Sequence, residues 1–322
     1  MLKKITKVIV ALIAIAAMTI APLTSAYAEG EEEQNEQEKS WLQVTPVSSR
    51  IKLLPGSQNE YSIVVKNVGN DAFRFSVTAA PYSVINEDYD LSFENETLRT
   101  QLTRWVKFVN PDGSLTDKIS GSVAAGEDLA VNYRVSVPES VPSGGQYAVL
   151  LVQTDTDENV EGAGVQTISR VGVVLYGRTD GETEEKAELV TYNVPQFMTD
   201  GKINATSVVK NVGNVDFEAK YTFIVRSIIG KDLYSVIDKS HLILPDTQRK
   251  AEFVWEDTPT IGIFQVNYKV EANGEVLKDE TVFVMILPVY LIVIMILLLT
   301  IIIIWIIMLI RKRKERKSRL LV

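Results

Sequence analysis

Val64-Val65-Lys66-Asn67-Val68-Gly69-Asn70 returns letter for letter as Val208-Val209-Lys210-Asn211-Val212-Gly213-Asn214, 144 positions further on. Apolar and polar residues alternate into each copy, through Tyr61, Ile63 and Val65 in the first and from Ile203 and Ala205 in the second. Phe73 or Phe217 opens another such run soon after. Period-two alternation marks a half-buried strand. The phrase therefore reads as strand, turn, strand, with Gly and Asn supplying the positive φ of a tight connection. Used twice, it predicts two domains of related construction.

Working outward, the first copy sits in a stretch, 41–186, with expected strands at 43–47, 60–67, 72–79, 129–137, 146–154 and 165–178, punctuated by Asp112-Gly113 and Ser143-Gly144-Gly145. The second sits in 187–287, with strands expected at 187–194, 203–211, 217–227, 233–239, 249–256, 262–272 and 275–287 and tight turns at Asp200-Gly201 and Asn273-Gly274. Seven short strands in about 100 residues is the pattern of an immunoglobulin-like sandwich without its disulfide. The expected fold is all-β: two immunoglobulin-like β-sandwich domains in tandem, plus one C-terminal transmembrane helix. Domain one carries an insertion at 81–111, where Leu98, Leu102 and Trp105 recur at i, i+4 and i+7 and suggest a short amphipathic helix or folded insertion.

The two ends set the compartment. Lys3, Lys4 and Lys7 precede an apolar run from Val8 to Ile20 and a small-residue site at Ala26-Tyr27-Ala28. That is the layout of a cleaved signal peptide over residues 1–28, the alternative being an uncleaved N-terminal anchor. Residues 29–40, EGEEEQNEQEKS, hold no apolar side chain and are expected to be a disordered acidic lead. At the other end the chain is apolar from Val282 to Ile310 except at Pro288, Tyr290 and Thr300. As one helix this run would measure about 43 Å, against a hydrocarbon core of about 30 Å. It is better divided into a last strand ending at Leu287 and a membrane helix, 288–310, with Pro288 at its first position. Tyr290 and Trp305 then fall near the two interfaces, and Arg311 opens a basic tail, 311–322, that faces the cytoplasm by the positive-inside rule. This places the chain in the plasma membrane as a single-pass protein with its N-terminal part outside.

The formal charge of −8 hides an asymmetry. Setting aside the three lysines of the leader and the seven basic residues and Glu315 of the tail leaves 23 basic and 40 acidic residues, a net of −17. Such a surface argues against nucleic acid as a partner, since like charges repel. The chain has no cysteine, which removes thiol chemistry and Cys-ligated metal sites. Its one histidine, His241, lacks a second His or a carboxylate at ligand spacing and reads as a strand-edge residue. No G-x-S-x-G is present; Asp155, Asp157 and Glu158 lack the full calcium-loop pattern; Asn95 and Asn204 head glycosylation-type sequons. No enzyme activity, cofactor or metal is expected.

Three phrases occur together: Trp105-Val106-Lys107-Phe108 followed by the VPESVPSGGQYAVLL turn and strand at 137–151; Ser169-Arg170-Val171-Gly172-Val173-Val174-Leu175; and Leu244-Pro245-Asp246 leading to Trp255. With the leader, the two sandwiches, the helix and the tail, the chain resembles bacterial cell-surface proteins that have a peptidoglycan-binding and a host-binding immunoglobulin-like domain and partner WxL-type wall proteins. The resemblance implies a membrane-anchored binding, adhesion or scaffolding module at the cell wall. Its partners would be a cell-wall polymer or another surface protein, with membrane lipid around the single span. The alternative is an assembly chaperone acting on exported subunits through β-strand pairing. The expected contact surfaces are the 81–111 insertion and the 154–164 hairpin tip, because loops on a rigid sandwich vary freely.

Overall fold

The computed structural model describes residues 41–155, 168–199 and 201–319. Ala26 and Ala28, the acidic lead, Asp157 and Glu158, and most of the 154–164 tip lie outside the described residues.

From Trp41 the chain builds a first sandwich. One sheet has the order β1 (Leu42–Thr45), β3 (Gln58–Asn67), β10 (Asp128–Ser136), β7 (Val106–Val109) and β8 (Leu115–Thr116). The facing sheet has the order β2 (Ser48–Leu53), β12 (Arg170–Thr179), β11 (Gly145–Thr154), β4 (Phe73–Pro81) and β9 (Lys118–Val123). Alternation aims one side of each strand inward, so Ile63, Val65, Phe108 and Tyr133 meet Phe75, Val77, Leu150 and Val173 in one buried cluster. The short helix α1 (Leu102–Trp105) adds Leu102 and Trp105 to that core, whereas Leu98 stays 74% exposed. β2 and β9 were not expected from the sequence. Ser48–Leu53 has only Ile51 and Leu53 as inward apolar residues, and Lys118–Val123 buries Val123 alone.

The second sandwich pairs a three-stranded sheet, β13 (Ala187–Asn193), β15 (Ile203–Asn211) and β18 (Gln248–Trp255), with a five-stranded one in the order β14 (Phe197–Met198), β20 (Glu275–Ile286), β19 (Gly262–Ala272), β16 (Phe217–Ser227) and β17 (Asp232–Ile243). All seven expected strands form, joined by the two-residue β14. Tyr221, Phe223 and Tyr268 are fully buried between the sheets, and the Tyr268 hydroxyl meets Ser207 Oγ at 2.6 Å, so its polar end has a partner.

The repeated heptapeptide does the same job in both domains. Asn67 Nδ2 donates to Asp71 O and Val123 O at 2.8 and 3.2 Å, and Asn211 Nδ2 donates to Val215 O and Ile243 O at 2.8 and 3.0 Å. Each Oδ1 accepts the amide of the glycine two residues on, at 2.9 Å. Each turn also holds the segment that opens its domain: Val68 N donates to Trp41 O and Val212 N to Lys186 O, both at 2.9 Å. The reason for glycine differs from the expected one. Neither Gly69 nor Gly213 has positive φ, nor do the asparagines that follow them. A Cβ at Gly69 would lie 2.8 Å from Trp41 Cβ, and one at Gly213 would lie 2.1 Å from Glu184 O. Close approach of the domain's entering chain, not turn handedness, excludes a side chain there. At Asn273 and Gly274 the expected positive φ is present, 54° and 79°.

β20 runs into the final helix, α2 (Val289–Arg319), through Leu287 and Pro288 only. Pro288 precedes the helix instead of opening it, its carbonyl accepting the amides of Leu291 and Ile292. The helix also continues past Ile310, so the first part of the basic tail is helical. Val289–Arg311 is long and apolar enough to cross a membrane.

Candidate binding site

Where the domains meet, the second heptapeptide docks on the Ser143-Gly144-Gly145 turn. Gly145 N donates to Asn214 O at 2.7 Å. Gly144 has φ +108°, and a Cβ on it would lie 2.2 Å from that same carbonyl, so glycine is required twice over. Asn214 also ties the connecting segment down, accepting Glu184 N at 2.7 Å and donating to Glu182 O at 2.9 Å. Two residues on, Asp216 is 7% exposed and carries the only charge in the middle of the contact among the described residues that is buried. Its Oδ2 accepts Arg50 Nη1 at 3.0 Å, its Oδ1 accepts the Tyr147 hydroxyl at 3.0 Å, and its amide donates back to that hydroxyl. A buried carboxylate persists only when paired in this way. Burial first, and then the charge of Asp216, pushes the Tyr147 hydroxyl well above the usual tyrosine range. Beside the pair opens a cleft of about 420 Å³ lined by Arg50, Lys52, Tyr176, Arg178, Asp180 and Asp216.

The 81–111 insertion belongs to this junction. Its hairpin, β5 (Ser83–Val84) with β6 (Leu91–Ser92), reaches across to domain two. Tyr89, held at φ 68°, accepts Leu244 N at 3.2 Å, while the Arg249 guanidinium lies 4.0 Å from the centre of its ring. Lys250 N donates to Glu87 O at 2.7 Å, and Tyr82, Tyr147, Val149 and Leu244 form an apolar cluster shared by the two domains. While Leu98 in the later part of the insertion stays exposed, the hairpin is thus a brace between domains. No alternation or turn phrase signals it, because its partners are more than 150 residues away in the chain.

The open feature is an edge of domain one. β2 runs parallel to β12 but covers only Val174–Thr179, and no strand among the described residues pairs with that side of Arg170–Val173. Val174 N donates to Val47 O at 3.2 Å, so even-numbered residues of β12 face this edge. By the alternation of an antiparallel ladder, Arg170 and Gly172 present their N–H and C=O groups outward. Two apolar side chains flank the gap, Val47 at 77% and Ile168 at 51% exposure. Such an edge is a template for another extended chain.

His241 lies on the edge strand β17, tilted against Tyr221 and stacked on Phe253, with Nδ1 buried and unpartnered. Burial, then the positive charges of Arg249 and Lys239, hold its imidazole below the ordinary histidine value. No cluster of His, Asp or Glu among the described residues is arranged to hold a metal ion. Of the expected membrane-boundary residues, Pro288 is buried against the sandwich, whereas Tyr290, Trp305 and Arg311 are exposed along α2.

No protein-family model and no curated protein sequence matches the chain. Among solved structures it is similar to the class 5 fimbriae chaperone CfaA, with 11% identity over 77% of this chain and all of that one, at a TM-score of 0.37. It is likewise similar to the CsuC–CsuE chaperone–tip adhesion subunit complex of Acinetobacter baumannii Csu pili, with 10% identity over 76% of this chain and 99% of that one, at 0.38. The E. coli chaperone DraB gives 12% identity over 74% and 96%, at 0.35. A likeness of this size carries no argument about ligand or partner.

Proposed function

We propose that the chain is a membrane-anchored binding and scaffolding module of the cell surface that captures an extended segment of another exported protein by adding it as a strand to β12. The observation that carries this reading is the edge at Arg170–Val173, unpaired among the described residues, with two outward-facing pairs of backbone groups and apolar Val47 and Ile168 beside them. Main-chain hydrogen bonds supply affinity in strand addition, and neighbouring apolar positions supply selection. The braced junction fixes the edge relative to domain two, so capture orders a partner rather than reshaping the scaffold. A protein partner suits a net charge of −17 better than an anionic wall polymer does. The leader, the apolar helix and the seven basic residues after it support an outward-facing ectodomain anchored by α2. The resemblance to surface proteins that partner WxL-type wall proteins belongs to the same proposal, as does the absence of catalysis.

A photoreactive phenylalanine at Ile168 in cells tests the reading. It is expected to form adducts with an extended segment of an exported protein, and Arg170→Pro is expected to abolish them by removing one outward N–H at a strand's first residue, where proline is tolerated. Adducts no more frequent than those from Leu98, or unchanged by Arg170→Pro, would sink it.

A further inference from the structure

The outer face of the five-stranded sheet changes character at one end. Along β19 the outward residues are Lys269, Asn267, Gln265 and then Ile263; along β20 they are Asp279, Thr281, Phe283 and Met285. Registered across the strands, one row is Thr222, Lys269 and Asp279, and the next joins Ile224, Asn267 and Thr281, where Asn267 Nδ2 donates to Asp279 Oδ1 at 2.8 Å and Thr281 Oγ1 at 3.1 Å. The last row is apolar: Phe197 pairs with Met285 and Met285 with Ile263, and Ile228 lies in the turn that follows Ser227 at the same end. These four are 51%, 41%, 46% and 63% exposed, and Ile229 and Ile261 in the adjoining loops are 85% and 57% exposed.

That row lies at the end where the chain leaves for α2. Met285 is two residues before Leu287, whose amide donates to Met198 O at 2.9 Å, and Pro288 is buried at the sandwich base. Met285 is four residues before Val289, so at about 3.3 Å per residue the row stands at most roughly 13 Å from the first residue of the helix. The headgroup zone of a bilayer is about 5–8 Å thick per leaflet, and peripheral apolar faces sink about 5–10 Å into it. Phe283, 61% exposed in the row above beside Gln265, extends the patch one step up, and beyond it β19 and β20 present Asn267, Lys269, Asp279 and Thr281. Apolar side chains gathered in this way at the end nearest the helix match a lipid surface better than they match a protein partner approaching from the side.

We propose that this end of domain two is seated in the headgroup region of the leaflet from which it projects, through Phe197, Ile228, Ile229, Ile261, Ile263 and Met285. The proposal rests on the reading of α2 as a membrane span. The absence of cysteine allows single nitroxide labels on the full chain in phosphatidylglycerol–phosphatidylcholine vesicles, placed in turn through Ile229→Cys, Met285→Cys, Leu299→Cys and Leu98→Cys. Collision with a water-soluble nickel chelate is expected to be several-fold lower at 229 and 285 than at 98, and lowest at 299. Labels at 229 and 285 as accessible as that at 98, with 299 shielded, would overturn the seat and leave the anchor standing. Free access at 299 as well would overturn the anchor and the seat together. Ile229 sits in a turn at 85% exposure, so its replacement leaves the fold intact.

Discussion

At the scale of single residues, Asn67 and Asn211 each satisfy two carbonyls and one amide from a side chain that is itself fully buried. Only an amide offers two donors and an acceptor in that plane. Asn211→Asp replaces the donors with a carboxylate oxygen facing two carbonyls, and a loss of about 3 kcal/mol is expected, since an unsatisfied buried group costs about 1–3 kcal/mol and a charged one more. Thermal unfolding of the detergent-solubilised chain checks it, with exposed Asn95→Asp as the near-neutral control; equal effects would refute the role. His241 gives a second prediction. A base whose folded pKa lies below its unfolded value of 6.5 takes up its proton more readily when unfolded. Its stabilising influence is therefore intact above that pH and lost as pH falls through the lower folded value. His241→Phe keeps the ring contacts with Tyr221 and Phe253 and should flatten the decline in unfolding temperature between neutral and mildly acidic pH. An identical decline in both proteins would exclude His241 as its source.

At the scale of elements, strong alternation made the central strands legible, and weak alternation hid the edge strands β2 and β9. Ile203–Asn211 and Phe217–Ser227 bury every second residue or more, whereas β2 and β9 bury one or two each and have partners on a single side. The repeat revealed the two domains but not its own chemistry: the letters were the same as those of a tight turn, and only the neighbouring chain shows why glycine is needed. The candidate edge was hidden for a related reason. β12 reads as one continuous strand in sequence, and nothing in its letters says that β2 stops covering it at Val174. The brace yields its own prediction. Tyr89→Ala removes the acceptor for Leu244 N and the ring under Arg249, so the domains should hinge and the 180–186 connection become sensitive to protease. Limited proteolysis of the native and substituted chains, read by fragment mass, checks it; unchanged cleavage would mean that the Asp216 contacts suffice alone.

At the scale of the whole molecule, the two sandwiches share an apolar cluster, the segment between them is held by Asn214, and the last strand reaches its helix across two residues. A body so joined transmits the orientation of α2 to the edge of β12, which matters to the proposed capture of a strand there. The junction at Leu287 and Pro288 should then behave as structure, not as linker. Its amide is bonded to Met198, its proline is buried, and paired backbone resists cutting. In vesicles, chymotrypsin is expected to leave the chain uncut at Phe283, Leu287 and Tyr290 under conditions that cleave the unfolded protein there. Inserting about six Gly and Ser residues after Leu287 supplies a flexible coil and should make that point the first to be cut. Early cleavage at the native junction would show that domain two is tethered, not seated, and the edge of β12 would then have no fixed direction from the membrane.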